Sequence, residues 1–240
     1  MSSLGDRVTA LFERLEAYQF FLIEWETSLQ ILLGYPLMSN RSLFFLVPDD
    51  QLPEVLNLAA DVGLFPTNEA ILRPVHPCEM CSHAVRFLID DSTPRPEGPP
   101  RRRLVFLPMS WTGITCGEAV PIPASSSVHT VSLSTACAAL VRIAARENRG
   151  SQLRASAIEC LASLIGYGLL DMSHDGDYME FPSEEQPLSD QETLEMENAV
   201  AEMNRWAFRN DEEWIRETLI QIVTGEKSYD DLPSRIGSRR

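Results

Sequence analysis

The run Ser42-Leu-Phe-Phe-Leu-Val47, closed by Pro48-Asp49-Asp50, constrains the fold more than any other stretch. Its length, its aromatic and branched side chains and its proline stop predict a buried strand. Leu52, Val55, Leu56, Leu58 and Ala59 then mark one side of a helix. Asp49 or Asp50 can cap that helix, Pro53 suits its first turn, and Gly63 ends it. A strand feeding directly into a helix is a β-α unit, so the chain must build a sheet with a helix packed on it.

The rest of the chain extends this unit in both directions. Val8, Leu11, Leu15, Tyr18, Phe21, Leu22, Trp25, Leu29 and Leu32 step by three and four, which predicts one long helix from Asp6 to Leu33. Gly34-Tyr35-Pro36 would stop it. Ala84–Ile89 and Arg103–Leu107 read as further strands, separated by the proline- and charge-rich loop DDSTPRPEGPPRRR. Ser127–Leu133 alternates and reads as another short strand. Beyond Ser134 the pattern turns helical. Helices are expected over 136–147 and 153–170, split near Asn148-Arg149-Gly150, then a loop over 173–190. Ser189 and Glu192 fit a capping box for a helix starting near Asp190, and helical patterning resumes through Trp214, Leu219 and Ile222. The expected fold class is α+β: a small mixed β-sheet with flanking helices and a helical C-terminal half. The expected regions are 1–133 and 134–240, with room for one shared core.

Composition narrows the function. Hydrophobic residues at 44% and charged residues at 23% suit a globular protein. The apolar run Leu43–Val47 is too short to span a bilayer, and MSSLGDRVTALFERLE mixes charge into its apolar positions, unlike a secretory leader. A net charge of −15 repels phosphate backbones, so nucleic acid is an unlikely partner and no membrane is implied. The cysteines at 78, 81, 116, 137 and 160 are odd in number and scattered. They read as reduced, mostly buried thiols in a cytoplasmic protein. Arg101, Arg102 and Arg103, beside the proline-rich loop, read as a solvated cluster.

Several stretches carry candidate chemistry. HPCEMCSH places His76, Cys78, Cys81 and His83 within eight residues. Two thiolates at C-x2-C spacing suit one Zn²⁺, but four ligands so close together strain a tetrahedral site, and no second ligand pair exists. A redox C-x-x-C reading wants a thiolate at a helix N-terminus, whereas this segment leads into a strand beside the charge of Glu79. The favoured reading is a turn entering a strand, with one or both cysteines packed inside. Asp171, His174, Asp175, Asp177 and Glu180 crowd one loop, yet the spacing lacks an EF-hand series and Gly176 suits a turn. Ser125, Ser126, Ser127 and Ser132 surround His129 without a G-x-S-x-G elbow, and WTGITCGEA has no phosphate-loop spacing. Trp111, directly after a strand, is a candidate pocket residue or a cap on the core.

The run SLFFLVPDDQLPEVLNLAADVGLFP resembles fungal proteins of the nucleotidyltransferase-like fold, where a buried strand ending in V-P-D leads to a helix and then a glycine. RRRLVFLPMSWTGI and ASLIGYGLLDMSHDGDYME are similar to stretches of proteins from filamentous fungi; together the likeness covers residues 30 to 180. The resemblance implies a Gly-Ser pair after the first helix, two metal-binding acids on the next strand and a third on a later one. Here Ser39 stands apart from Gly34, and Asn40 to Phe45 contains no acid. Two-metal phosphoryl transfer needs such carboxylates to hold Mg²⁺.

The resemblance therefore implies a degenerate member that binds a partner protein or a small molecule. The enzyme alternatives are an atypical transferase, which would use Mg²⁺ with Asp49 and Asp50, and a small biosynthetic enzyme with a pocket at Trp111. Convergence of Asp49 or Asp50 with Asp90, Asp91 or Glu118 would favour an enzyme.

Overall fold

A computed structural model describes residues 3–35, 42–67, 77–90, 101–123, 125–170 and 190–235. The chain divides into two compact units, residues 1–132 and 133–240. Its class is α+β. Among the described residues no helix is long and apolar enough to cross a membrane.

The first unit opens with α1 (Leu4–Ala17), begun by a capping box in which Ser3 and Asp6 bond each other's backbone N–H. The long N-terminal helix expected from the periodicity is not continuous. Gln19 takes a left-handed φ of 57, and the chain leaves the helix to form β1 (Leu22–Glu24) before a short α2 (Thr27–Leu32). The reason lies in Phe20, Phe21 and Ile23, aromatic and branched side chains that suit a pleated surface better than a helix. The three-and-four spacing carries across the break by coincidence.

β2 (Leu43–Val47) and α3 (Leu52–Asp61) form the expected β-α unit, and Gly63 closes it at φ 80. Its cap differs from expectation. The N-cap residue is Gln51, and no side chain caps the helix. The Gln51 side chain instead accepts the Phe21 N–H at 3.0 Å, tying this turn to the start of β1. Pro53 in the first turn removes one donor that would otherwise need a partner.

β3 (Val85–Leu88), β4 (Arg103–Pro108), β5 (Ala119–Pro121) and β6 (Val128–Val131) complete a six-stranded sheet of order β3-β4-β2-β1-β6-β5. β2 lies parallel to β4, and β1 parallel to β6; the other pairs are antiparallel. Leu104, Phe106, Phe45, Val47 and Phe87 face α1 and α3, where Leu11, Leu15, Val55 and Ala59 close the core. Alternation sends Phe44, Leu46, Val105 and Leu107 to the opposite face, and these too are buried. Burial on both faces explains why β2 and β4 read as unbroken apolar runs.

The second unit pairs α4 (Leu133–Arg146) with α5 (Gln152–Leu169) across a turn at Gly150, φ 82. The helices run antiparallel and meet closely: a Cβ on Gly168 would stand 2.7 Å from a Leu133 methyl. α6 (Asp190–Arg205) and α7 (Glu213–Val223) follow, then a one-turn 3₁₀ helix at Tyr229–Asp231. Arg142 of α4 grips Glu212 through two bonds of 2.7 and 2.6 Å. The acidic loop Asp171–Glu180 and the Ser189 cap lie outside the described residues.

Candidate functional site

Parallel strands β2 and β4 end side by side, Val47 opposite Pro108. In open α/β sheets the crevice beyond such strand ends is the usual place for a ligand. Here the two loops are bonded to each other. The Ser110 N–H donates to one Asp49 oxygen at 3.0 Å and its hydroxyl to the other at 2.5 Å. Asp49 therefore links the β2–α3 turn to the 3₁₀ turn Met109–Trp111, while neighbouring Asp50 is exposed in the turn. Trp111 sits half-buried on that 3₁₀ turn.

The other acids weighed as metal partners stand in separate local networks. Asp90 accepts from Arg101 Nε at 2.8 Å and from the Arg102 N–H at 2.7 Å, closing the base of the proline-rich loop. Glu118 accepts from Thr115 in the capping box of the 3₁₀ turn Cys116–Glu118. Asp91 lies outside the described residues. Among the described residues no three His, Cys, Asp or Glu side chains stand together where they could hold a metal ion.

The HPCEMCSH segment forms a 3₁₀ turn at Pro77–Met80 followed by β3. Cys78 and Cys81 are both buried and His83 is exposed; His76 lies outside the described residues. A turn entering a strand with both cysteines packed inside is what the structure contains. The segment also carries a feature unforeseen from sequence: a buried ionic cluster on the sheet face opposite α1 and α3.

Its parts come from two strands and the 3₁₀ turn that precedes β3. Leu88 of β3 pairs with Arg103 of β4, and Arg86 with Val105, so alternation aims both arginines to one face. Arg103 is 3% exposed, Arg86 6%, and Glu79 is fully buried. Arg103 Nη1 forms an ion pair with Glu79 Oε1, and its Nε donates to Arg101 O at 3.1 Å. Arg86 Nη2 donates to the Glu79 carbonyl at 2.6 Å, and the Arg103 N–H to Ser42 Oγ at 3.3 Å. One glutamate thus anchors the 3₁₀ turn to the sheet by its side chain and by its carbonyl.

A second carboxyl meets the same turn. Glu26, the N-cap residue of α2, is 8% exposed and takes φ 53 and ψ −130. Its Oε1 accepts the Cys78 N–H at 3.0 Å. Burial pushes the Glu26 carboxyl up to about 7; the Cys78 hydrogen bonds pull downward and the Glu79 charge adds a smaller upward push.

The arginine trio, expected to be solvated, divides. Arg101 and the Arg102 backbone hold Asp90, whereas Arg103 turns inward to Glu79. A charge inside the otherwise apolar strands AVRFLI and RRRLVFL was the available signal, because a buried arginine requires a partner. Glu26 gave no such signal while its segment read as a helix. Comparison of the chain with protein-family models and with curated proteins gives no match to either.

Proposed function

We propose that the protein binds a partner protein or a small molecule on a degenerate nucleotidyltransferase-like sheet, without two-metal phosphoryl transfer. One observation carries this reading: Asp49, the acid nearest the ends of the parallel strands, spends both carboxylate oxygens on Ser110. A magnesium site needs such oxygens directed together at the ion. Asp90 and Glu118 hold their own local donors elsewhere, and neither β2 nor β4 contains an acid.

Thermal-shift measurements against nucleoside triphosphates, with and without Mg²⁺, test the reading, because a ligand that favours the native state raises Tm by mass action. The expected result is that Mg²⁺ adds nothing to any nucleotide shift and that no pyrophosphate is released. Magnesium-dependent pyrophosphate release that disappears in Asp49→Asn would establish the atypical transferase instead.

A further inference from the structure

The turn that carries Glu79 also brings two cysteines together. The Cys81 N–H donates to the Cys78 carbonyl at 3.1 Å. Such an i to i+3 closure holds the two Cα atoms within about 7 Å, and a disulfide spans roughly 4.4–6.8 Å between Cα atoms. All five cysteines are thiols here. Only Cys78 and Cys81 lie within a few residues of each other; Cys116, Cys137 and Cys160 are each more than twenty positions away from any other. Burial ordinarily protects a thiol by opposing its ionisation, as at Cys137, pushed up to about 12. Cys78 differs, because a buried carboxyl stands beside it: Glu26 Oε1 lies 3.0 Å from its backbone nitrogen. The intervening Glu79, whose charge would oppose a thiolate, is paired with Arg103.

We propose that Cys78 and Cys81 form a redox-active dithiol, oxidised by a hydroperoxide small enough to reach a buried sulfur, with Glu26 as proton acceptor at Cys78. The Glu26 carboxylate takes the Cys78 thiol proton. The thiolate attacks one oxygen of hydrogen peroxide, so an S–O bond forms and the O–O bond breaks. The departing hydroxide takes the proton back from Glu26 and leaves as water. Cys81 then attacks the Cys78 sulfur: the S–S bond forms, the S–O bond breaks, and a second water leaves with the Cys81 proton. The pair loses two electrons and two protons, and the peroxide is reduced to two waters. This chemistry does not depend on what the strand-end loops bind.

The test uses the native full chain, treated with near-stoichiometric hydrogen peroxide, alkylated and mapped by peptide mass spectrometry. The expected product is a Cys78–Cys81 peptide lighter by two hydrogens, restored by dithiothreitol, while Cys137 stays alkylatable after unfolding. Glu26→Gln keeps an oxygen for the Cys78 N–H but cannot accept a proton. It should slow disulfide formation at least tenfold and flatten the rise in rate between about pH 6 and 8. Oxidation confined to exposed Cys116, with Cys78 and Cys81 recovered as thiols, would overturn the dithiol. An unchanged rate and pH profile in Glu26→Gln would overturn the role of Glu26.

Discussion

Glu26 holds a backbone conformation that glycine ordinarily occupies, with φ 53 and ψ −130, and it buries a carboxyl there. Such a conformation costs on the order of 1–3 kcal/mol and survives only where its surroundings impose it. The carboxyl adds a pH term. Its folded value of about 7 stands above the ordinary carboxyl value of 4.5, so the native state binds the proton more tightly than the unfolded chain. That contribution is complete below about 4.5 and is lost as pH rises through about 7. Ionised Glu26 then burdens the fold by roughly 3 kcal/mol relative to acid conditions. Half-buried Glu24, raised by desolvation, acts in the same direction. Urea denaturation of wild type and Glu26→Gln should show the glutamine variant gaining roughly 1–2 kcal/mol on wild type between pH 6 and 8.5. A difference that stays constant with pH would contradict the assignment. Glu79 makes the opposite case. Glu79→Gln leaves the buried Arg103 charge uncompensated and should cost about 3–5 kcal/mol. Glu79→Gln with Arg103→Met should cost clearly less than the sum of the single changes, as read from a double-mutant cycle.

At the scale of elements, the decisive position is Gln19. It sits just past α1 at φ 57, exposed, where the chain turns out of a helix toward β1. Glycine adopts this region without a Cβ penalty. Gln19→Gly should therefore stabilise the first unit by about 0.5–1 kcal/mol, seen as a rise in urea midpoint with an unchanged slope. A fall in midpoint would mean that the Gln19 side chain contributes more than its strain costs. The same position shows where sequence reading stops. β2, β3, β4 and β6 were legible because burial leaves apolar or alternating runs of four or more residues, and α3, α4 and α5 because glycine or a polar turn bounds each. β1 and β5 have three residues each, too few to establish a period against the helical spacing around β1. Asp49 illustrates a second limit. An acid before a helix predicts a cap, but only the folded chain brings Ser110, sixty-one positions later, within its reach. The cysteine turn was legible as a turn; the Glu26 contact was not, because it joins residues fifty-two apart.

For the whole molecule, acids outnumber bases to a net charge of −15, yet the buried Arg154 of the second unit is held by carbonyl oxygens. Its side chain is 3% exposed on α5. It donates to four carbonyl oxygens: Ala144 at 2.7 Å, Pro233 at 2.7 Å, Leu232 at 2.7 Å and Asp230 at 3.3 Å. Ala144 lies in the last turn of α4, where its carbonyl has only a long 3.4 Å bond from the Glu147 N–H and the dipole favours positive charge. The other three belong to the segment after α7, which Arg235 N–H also fastens to Glu147 O at 3.0 Å. One guanidinium thus joins two helices to the segment beyond them, and its planar fork of donors is what permits four acceptors. Arg154→Met removes the donors and strands those carbonyls, each worth about 1 kcal/mol or more when left unsatisfied. The expected loss is about 2–4 kcal/mol in the stability of residues 133–240. Arg154→Lys keeps the charge but has three donors on a single nitrogen, so it should recover less than half of that loss. Hydrogen exchange locates the effect: amides of residues 229–235 should lose protection in both variants, with those of β2 and β4 unchanged. If 229–235 remain protected in Arg154→Met, Leu232 packing rather than the arginine holds the segment in place.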